Sequence, residues 1–442
     1  MIVSKFGGTS VGTFEAMQHS ASIVAKNQDR KLIVISATSG TTNDLVELES
    51  SSLDSTSKET TLRRIEERHL SIINHCEEKE NLTKGFQKLY SELRQHLDLH
   101  GRDKRWKDTL YAFGELMSTK IFVQVLKEAG VNVEWIDARS IIKTDSSYTQ
   151  AIPDLKTISK KAQKLLDPSK IYLTQGFIGS DIFNTTTTLG RGGSDYSAAL
   201  FAEAVKADIL EIWTDVAGVF TTDPRIVYQA KPIEEITFDE AAELSVFGGK
   251  VLHPATLKPA IRGKVKVRVA SSKEPALAGT LIVNRAENEP VVRAISLRKD
   301  QTLLTVKSLD MLHQHGFLAK LFNVLAVHKI SVDLVTTSEV SVSLTLDTAL
   351  KASNKVDLSK AVLSELQKFC EVEVEKDLSL IALIGNKMDA TSGISATLFG
   401  LLKDFNIRLV CHGASAHNVC FLVKEETGEE IVRLLHKEFI GV

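Results

Sequence analysis

The sequence predicts an α/β protein in which a mainly parallel sheet, covered by helices, is followed by two small α+β units. Over the first ~285 residues, short apolar or β-branched segments alternate with helical periodicity, which is typical of parallel sheets covered by helices. The chain becomes polar at Val283–Pro290, where we expect a domain boundary. An internal repeat follows that boundary. A chain of 442 residues is long enough for two or three domains.

Alternating strands and helices define the first domain, which we place at 1–285. Its expected buried strands are Ile2–Phe6, Lys31–Ser36, Val131–Ile136, Ile171–Thr174 and Ile209–Thr214. Helical periodicity is clearest at Thr109–Ala129 and Ser194–Lys206. The segment Ser50–His100 is long, polar and poor in glycine. We therefore expect an all-helical insertion there.

The repeat aligns Gly316–Leu346 with Gly393–Val423 without gaps, at an offset of 77 residues. Each copy has the order helix, β-branched strand, turn and second strand. Two copies of one small unit are therefore expected, rather than one larger domain. We place the first unit at 302–376, and the second at 291–301 together with 377–442.

The composition argues against several classes of protein. Lys and Arg total 54 while Asp and Glu total 56, so no net field favours nucleic acid or an anionic membrane. No apolar run approaches the ~20 residues that a membrane helix needs, and the N-terminal residues do not resemble a signal peptide. The four cysteines lack the spacing of a zinc site. We therefore expect a cytoplasmic protein that binds neither nucleic acid nor membranes and has no metal-ligand cluster.

A glycine-rich turn, KFGGTS at Lys5–Ser10, ends the first expected strand. Gly7 and Gly8 would let backbone N–H groups approach a polyphosphate, and a helix N-terminus would favour the same anion. Lys5 would add a compact positive charge. The alternative is an ordinary strand-to-helix turn. The segment matches neither the Walker A loop nor the GxGxxG motif.

A second glycine-rich turn, TTLGRGGSD at Thr187–Asp195, again lies between an expected strand and helix. Arg191 offers a bidentate fork for an anion, which the neighbouring glycines would leave accessible. Ser194 and Asp195 could instead serve only as helix caps. An arginine among three glycines in such a turn favours an anion-binding function.

A third motif, TDVAGVF at Thr214–Phe220, follows another expected strand and continues into Asp223-Pro224-Arg225. Ligands of open α/β sheets bind beyond the carboxyl ends of the strands. Phe220 could pack on an adenine face and Arg225 could reach phosphate. Lys250 is a further cation beside a glycine pair. Each feature is weak alone, and their joint order is what favours a nucleotide site.

These motifs give the chain a resemblance to the aspartate kinases of the amino-acid-kinase superfamily, over essentially its whole length. The stretches that carry it are Lys5–Val11, Ser36–Asn43, Phe113–Glu115, Gln175–Gly179, Thr187–Ala198, Trp213–Arg225 and Gly249–Pro254. The two repeats resemble ACT domains, which are ferredoxin-like modules that bind amino acids. Met311–Ala319 and Ser331–Ser341 are most similar to the lysine-inhibited subgroup.

The resemblance implies an amino-acid-kinase fold and a reaction in which ATP, with Mg²⁺, phosphorylates the β-carboxylate of L-aspartate. It implies that Lys5 stabilises the transferring phosphoryl group, and that Asp195 orients Lys5 or the metal. Arg191 would clamp the α-carboxylate and Glu115 would receive the α-ammonium. The implied aspartate pocket comprises Ser36, Thr42, Glu115, Arg191 and Ser194. The implied ATP site comprises Lys5, Gly7, Gly8, Thr214, Asp215, Phe220, Arg225, Lys250 and Val251.

The resemblance also implies an inhibitory L-lysine site in the first repeat, at a subunit interface. Its implied residues are Met311, Gln314, Gly316, Phe317, Leu318, Val332, Asp333, Thr337, Ser338 and Glu339. In the second repeat, Ala414 and Ala416 stand where the first has Thr337 and Glu339. We therefore expect the second repeat to be structural and to pair subunits, which implies a homodimer or higher homo-oligomer.

Two alternative functions remain open on the sequence. One is another acid kinase of the same fold, acting on glutamate or a carbamate, against which the ACT pair and the Phe113–Glu115 helix argue. The other is an amino-acid sensor without catalysis. The joint presence of Lys5, Arg191 and Asp195 argues against a silent sensor.

Overall fold

The computed structural model describes residues 1–50, 52–99, 101–248, 252, 254–312, 315–346 and 358–441. These residues form two compact units. The first comprises Met1–Val219, Pro232–Phe238 and Lys250–Ala286, and the second comprises Phe220–Lys231, Asp239–Gly249 and Glu287–Val442. No helix among the described residues is long and apolar enough to cross a membrane.

Most of the described helices and all of the described parallel strands lie in the chain up to residue 286. In chain order its described elements are β1 (Ile2–Phe6), α1 (Phe14–Ala25), β2 (Arg30–Ile35), α2 (Thr41–Glu49), α3 (Ser55–Ile73), α4 (Lys79–Leu97), α5 (Lys104–Glu128), β3 (Val133–Trp135), α6 (Leu155–Leu165), β4 (Ile171–Gln175), β5 (Ile178–Ser180), β6 (Thr186–Thr188), α7 (Gly193–Ala204), β7 (Ile209–Thr214), β8 (Glu235–Thr237), α8 (Phe238–Val246), α9 (Pro254–Gly263), β9 (Lys266–Ser271) and β10 (Thr280–Val283). The five strands expected from the sequence are all present, with ends that shift by up to two residues.

The sheet of the first unit has β1 near its centre. Its described strands have the order β3-β4-β2-β1-β7-β9-β10-β8, and all neighbours are parallel except β9 and β10. Strand β1 suits this position because it presents a fully buried apolar side chain to each face of the sheet, Val3 on one face and Phe6 on the other. The carboxyl end of β1, which carries Lys5, therefore lies in the middle of the sheet edge. Strands β5 and β6 form a separate antiparallel hairpin.

The helical insertion expected at Ser50–His100 is confirmed for its described residues. Helix α3 begins after Asp54, whose carboxylate accepts hydrogen bonds from two backbone N–H groups of the first turn. Ile65 of α3 and Phe86 of α4 are buried in the same core as Phe6 of the central strand. The insertion is therefore packed on the sheet unit and is not a loosely attached segment.

The second unit is built on one antiparallel sheet. Its further described elements are β11 (Ala294–Lys307), α10 (Phe317–Val327), β12 (Val332–Thr337), β13 (Ser341–Leu346), α11 (Lys360–Leu366), β14 (Glu371–Ile384), α12 (Ile394–Leu401), β15 (Leu409–His412), β16 (Asn418–Lys424) and α13 (Glu425–Phe439). The described strands have the order β12-β13-β11-β14-β16-β15. Strands β11 and β14 are each 14 residues long and pair with each other along most of their length.

The repeat seen in the sequence is present in the structure. The order α10, β12, β13 recurs as α12, β15, β16, and each first helix follows a glycine with left-handed backbone, Gly316 at φ 89° and Gly393 at φ 88°. Each copy has its own apolar core, one around Leu321 and the other around Leu398. The predicted fold class, a mainly parallel α/β sheet followed by two α+β repeats, is confirmed.

Two short segments within 1–285 differ from the expected continuous domain, because they belong to the second unit. In the first, Val227 is buried in the core that contains Val292 and Ile295. The Thr221 carbonyl also accepts a hydrogen bond from the Ile295 N–H at 2.8 Å. In the second, Glu240 is fully buried and accepts a hydrogen bond from the Arg293 guanidinium at 2.6 Å. These buried contacts, which sequence periodicity does not report, place both segments in the second unit.

Candidate active site

A shielded pair of opposite charges lies at the carboxyl end of β1. The Nζ of Lys5 lies 2.5 Å from Oδ1 of Asp195, and the two side chains are 11% and 17% exposed. Asp195 is in the first turn of α7, where the helix dipole stabilises a negative charge. The structure therefore brings together the two residues to which the resemblance assigns phosphoryl transfer.

The loop after β2 is held tightly between the first glycine turn and α5. A Cβ on Gly8 would lie 2.9 Å from the Ala37 carbonyl oxygen, and a Cβ on Gly114 would lie 2.8 Å from the Ala37 Cβ. The Ser39 N–H also donates to the Gly8 carbonyl at 3.1 Å. Only glycine at both positions permits this approach, which brings the middle of α5 close to the end of β1. The hydroxyl of Ser118 fixes the Ser36 carbonyl at 2.8 Å.

Glu115 is placed by this packing in a buried position, 4% exposed. Its Oε1 accepts a hydrogen bond from the Ala37 N–H at 3.1 Å. Burial raises the pKa of the Glu115 carboxyl to about 8, although the Ala37 N–H and the positive charge of Lys5 act in the opposite direction. The carboxyl is thus mostly protonated at neutral pH, and a nearby cation would ionise it. Thr42, in the first turn of α2, is exposed.

The second glycine turn connects β6 to α7 through two left-handed glycines, Gly190 at φ 77° and Gly192 at φ 70°. Gly192 is the N-cap of α7 and leaves its first N–H groups without a side-chain cap. The suggestion that Ser194 or Asp195 caps this helix is therefore wrong, because both lie inside its first turn. Arg191 is exposed at the tip of the turn.

Phe177, which the sequence did not single out, packs next to the second glycine turn. Its backbone is left-handed, with φ 67°, which is unusual for a bulky residue. The Phe177 N–H donates to the Ser197 hydroxyl at 3.0 Å, and a Cβ on Gly193 would lie 2.6 Å from the Phe177 ring. The ring therefore packs on the start of α7, beside Ser194. Phe177 lies within the matching stretch Gln175–Gly179, which was the only signal for it.

The residues implied for ATP are divided between the two units. Gly7 lies with Lys5 at the end of β1, and its N–H donates to the Trp213 carbonyl at 3.0 Å. Thr214 ends the neighbouring strand β7, and its hydroxyl donates to the adjacent Asp215 at 3.2 Å. These residues of the first unit occupy the carboxyl ends of two adjacent parallel strands, where ligands of such sheets bind.

The remaining residues implied for ATP lie in the second unit or outside the described residues. Phe220 and Arg225 belong to the second unit. The Arg225 side chain is 88% exposed and forms an ion pair with Asp223 at 2.6 Å. Lys250 and Val251 lie outside the described residues.

The described residues implied for lysine lie in two segments of the first repeat. Gly316, Leu318, Thr337, Ser338 and Glu339 are exposed, whereas Met311, Phe317, Val332 and Asp333 are partly buried. Met311 precedes α10 by six residues, and the other described positions lie at the start of α10 or along and just beyond β12, which is an edge strand in the described sheet. Gln314 lies outside the described residues.

Several of these side chains already have partners within the chain. The Asp333 carboxylate is paired with the Arg298 guanidinium, and the Ser338 hydroxyl bonds that of Ser341 at 2.7 Å. The Phe317 ring packs edge-on against Phe369, with ring centroids 5.8 Å apart. Glu339 is therefore the carboxylate of this set that is exposed in the hairpin turn after β12.

Comparisons with known proteins identify the family of this chain. The amino acid kinase family model matches residues 1–271, and an ACT domain model matches residues 381–439. The chain is 47% identical over 442 residues to the lysine-sensitive aspartokinase 3 of Escherichia coli (strain K12), covering 99% of this chain and 98% of that protein.

Two solved structures match over nearly the full length. The crystal structure of E. coli aspartokinase III in complex with aspartate and ADP (R-state) has a TM-score of 0.89 at 46% identity and covers 100% of both chains. The same enzyme in complex with lysine and aspartate (T-state) has a TM-score of 0.87 at 46% identity and covers 99% of both chains. The chain belongs to the amino acid kinase family and, within it, to the aspartokinases.

Proposed function

We propose that this chain is an aspartate kinase that transfers the γ-phosphoryl group of ATP to the β-carboxylate of L-aspartate. The product is 4-phospho-L-aspartate, the first intermediate toward lysine, threonine, methionine and diaminopimelate. The observation that carries the proposal is the shielded Lys5–Asp195 pair at the centre of the sheet edge, with Glu115 buried beside it. Membership of the aspartokinases supports the same reaction.

The chemistry explains why a site built from cations and backbone turns suffices and why no catalytic base is needed. A carboxylate acceptor is already ionised at neutral pH, so no proton has to be removed from it. Its approach to ATP brings negative charge toward negative charge, and phosphoryl transfer depends on positioning and charge stabilisation. Lys5 supplies a positive charge, and Asp195 holds its ammonium group in place.

We assign the aspartate pocket to Ser36, Thr42, Glu115, Arg191 and Ser194. Arg191 binds the α-carboxylate through its two-pronged guanidinium, and Glu115 receives the α-ammonium as a carboxylate. We assign ATP to Lys5, Gly7, Gly8, Thr214, Asp215, Phe220, Arg225, Lys250 and Val251. Phe220 offers an aromatic face without a hydroxyl, so stacking on the adenine is its expected contribution.

We assign Mg²⁺ to the nucleotide more than to the protein. Among the described residues, no group of three or more His, Cys, Asp or Glu side chains could hold a metal ion. That arrangement fits Mg²⁺, which keeps several waters and is bound mainly through substrate phosphates. When bound, the ion neutralises charge on the phosphates. Asp195, in the first turn of α7, is the carboxylate of this site that would orient the ion.

The assay that tests this function measures ADP release with L-aspartate, with L-glutamate and with no amino acid. We expect ADP release that depends on ATP, Mg²⁺ and aspartate, and no comparable rate with glutamate. Release with glutamate alone would indicate the rival acid kinase. Aspartate binding without any ADP would indicate a sensor that does not catalyse.

Glu115 predicts a specific pH dependence of aspartate binding. Its pKa of about 8 in the free enzyme means that it carries a proton at neutral pH. The α-ammonium of aspartate favours the ionised form, so binding should release this proton and KM for aspartate should fall as the pH rises from 6 toward about 8. Glu115→Gln should raise KM and flatten this profile.

Stability provides a second readout for the same group. Because the folded pKa lies above the unfolded value, the contribution of Glu115 to stability is present at low pH and is lost as the pH rises through about 8. Glu115→Gln should therefore gain stability relative to wild type at alkaline pH. Glu134→Gln, at a half-exposed surface position, is the control. An unchanged KM profile in Glu115→Gln would make Glu115 a structural residue.

We also propose that free lysine inhibits through the first repeat, at a subunit interface, and that the second repeat mainly pairs subunits. The exposed edge of β12 is suited to meeting another chain, because edge strands present unpaired backbone groups. We accordingly propose at least a homodimer, in the cytoplasm. In this proposal, 1–285 is the catalytic domain and 302–376 is the lysine-sensing domain. The segments 291–301 and 377–442 form the domain that pairs subunits.

Lysine titration tests that site. Glu339→Ala should raise the lysine concentration required for inhibition by about 10- to 150-fold, because a hydrogen bond to a charged group contributes roughly 1.5–3 kcal/mol. Glu373→Ala, a surface carboxylate paired with Lys307 on the same sheet, should leave inhibition unchanged. Equal inhibition of wild type and Glu339→Ala, or none of the wild type, would remove this site from the proposal.

A further inference from the structure

A buried carboxylate near the start of α5 connects that helix to the turn that carries Arg191. Asp108 is fully buried. Its Oδ2 accepts a hydrogen bond from the Thr188 N–H at 2.9 Å, and its Oδ1 accepts one from the Thr188 hydroxyl at 2.6 Å. The Thr149 N–H lies 3.0 Å from each oxygen. None of the sequence motifs includes Asp108.

The Thr149 N–H, the Thr188 N–H and the Thr188 hydroxyl require an acceptor at both terminal atoms of the side chain. Only a carboxylate has an oxygen acceptor at both. A carboxylate has no donor hydrogen when ionised, whereas an amide of the same shape would turn an NH₂ group toward at least one N–H. Burial raises the pKa of the Asp108 carboxyl, and the hydrogen bonds from Thr188 and Thr149 oppose that rise. Leaving a buried donor without its acceptor is costly, so the bonds restrain the groups that make them.

The groups restrained by Asp108 adjoin the Arg191 turn directly. Thr188 is the last residue of β6 and precedes Gly190 by two positions. The Thr188 carbonyl accepts the Ala151 N–H at 3.0 Å, and a Cβ on Gly190 would lie 3.3 Å from the Thr149 carbonyl oxygen. Thr149 itself has a left-handed backbone with φ 73°, which needs support for a β-branched residue. Asp108 therefore supports the turn in two ways, through Thr188 at the end of β6 and through Thr149, which packs against Gly190.

Asp108 and Glu115 share one rigid helix. They are seven residues apart, so about two helical turns and ~10 Å separate them along α5. The helix thus holds Glu115 directly and the Arg191 turn through Asp108. In the proposed function, Glu115 binds the α-ammonium and Arg191 binds the α-carboxylate of the same amino acid.

We propose that Asp108 is a positioning residue that sets the distance between Glu115 and Arg191, and with it the recognition of the α-ammonium and α-carboxylate of the substrate. This inference rests on the proposed aspartate pocket. Asp108 does not touch the substrate in this account. We expect its effect mainly on aspartate binding, since Arg191 lies in the turn that Asp108 supports, whereas the ATP groups Lys5, Gly7 and Thr214 lie at the ends of β1 and β7.

The test compares Asp108→Asn and Thr188→Val with a matched buried carboxylate. Asp181 is 1% exposed and accepts hydrogen bonds from Phe183 N–H, Thr185 N–H and the hydroxyls of Ser146 and Tyr148, at the far end of the β5–β6 hairpin. We expect Asp108→Asn to raise KM for aspartate by about 10- to 100-fold, as small displacements of positioning groups do, with KM for ATP nearly unchanged. Asp181→Asn should lower Tm without this separation of the two KM values.

Thr188→Val keeps the backbone bond and removes the hydroxyl, so it should give a smaller rise and remains informative if Asp108→Asn does not fold. Arg191→Lys is measured in parallel, alone and combined with Thr188→Val. If Thr188 acts through Arg191, its effect should largely disappear in the Arg191→Lys background. If Arg191→Lys raises KM for aspartate while both other variants leave it unchanged, the positioning role is overturned. If Arg191→Lys itself has no effect, the aspartate pocket is at fault instead.

Discussion

Replacing Lys5 by alanine is expected to reduce kcat by two to three orders of magnitude while the protein remains folded. Loss of one preorganised charge from a transition state typically costs roughly 3 kcal/mol, which corresponds to that factor. The Lys5 Nζ is held 2.5 Å from Asp195, which fixes its position. The Lys5 side chain is also shielded from water, so the solvent screens its charge little. The measurement is kcat at saturating ATP and aspartate.

The control for this change has to separate lost charge from lost stability. Lys5→Ala leaves the Asp195 carboxylate without its partner, which should lower stability as well. Lys5→Met keeps the length of the side chain and should show the same loss of kcat. Lys170→Ala removes an exposed lysine paired with Glu134 and should keep full activity. Normal turnover by a folded Lys5→Met protein would contradict the assignment of Lys5.

Replacing Arg191 by lysine is expected to raise KM for aspartate much more than KM for ATP. A lysine keeps the charge but cannot form the two parallel hydrogen bonds of a guanidinium with a carboxylate. Bidentate charge-assisted bonds are roughly twice as strong as neutral ones, so a rise of about 10- to 100-fold in KM is expected. Initial rates over a grid of both substrate concentrations provide the two KM values.

The outcome for ATP decides what Arg191 binds. If KM for ATP rises as much as or more than KM for aspartate, Arg191 is a phosphate ligand and the proposed pocket is wrong. Arg262→Lys is a suitable control, because Arg262 pairs with Glu203 at the other end of α7. It should leave both KM values unchanged.

The sequence predicted the strands, the helical insertion and the repeat because each leaves a periodic or compositional signal. The resemblance of its glycine-rich turns to those of the aspartate kinases also placed Lys5 and Asp195 in one site. The motifs predict neither the 2.5 Å contact between these residues nor its shielding from solvent. Those depend on β1 and α7 meeting at the centre of the sheet.

Residues whose role depends on packing were less predictable. Glu115 alone would have passed as a surface carboxylate, and its raised pKa follows from the close approach that Gly8 and Gly114 allow. Asp108 has no motif because its partners lie 41 and 80 positions away in the chain. Phe177 shows its unusual backbone only in three dimensions.

The most direct test of the central claim is to trap the product during turnover. An acyl phosphate reacts with hydroxylamine to give a hydroxamate, whereas simple ATP hydrolysis gives none. With ATP, Mg²⁺ and L-aspartate, we predict one aspartyl hydroxamate for each ADP, and a loss of both products in parallel in Lys5→Met. ADP release by the wild-type protein without hydroxamate would contradict phosphorylation of the aspartate carboxylate.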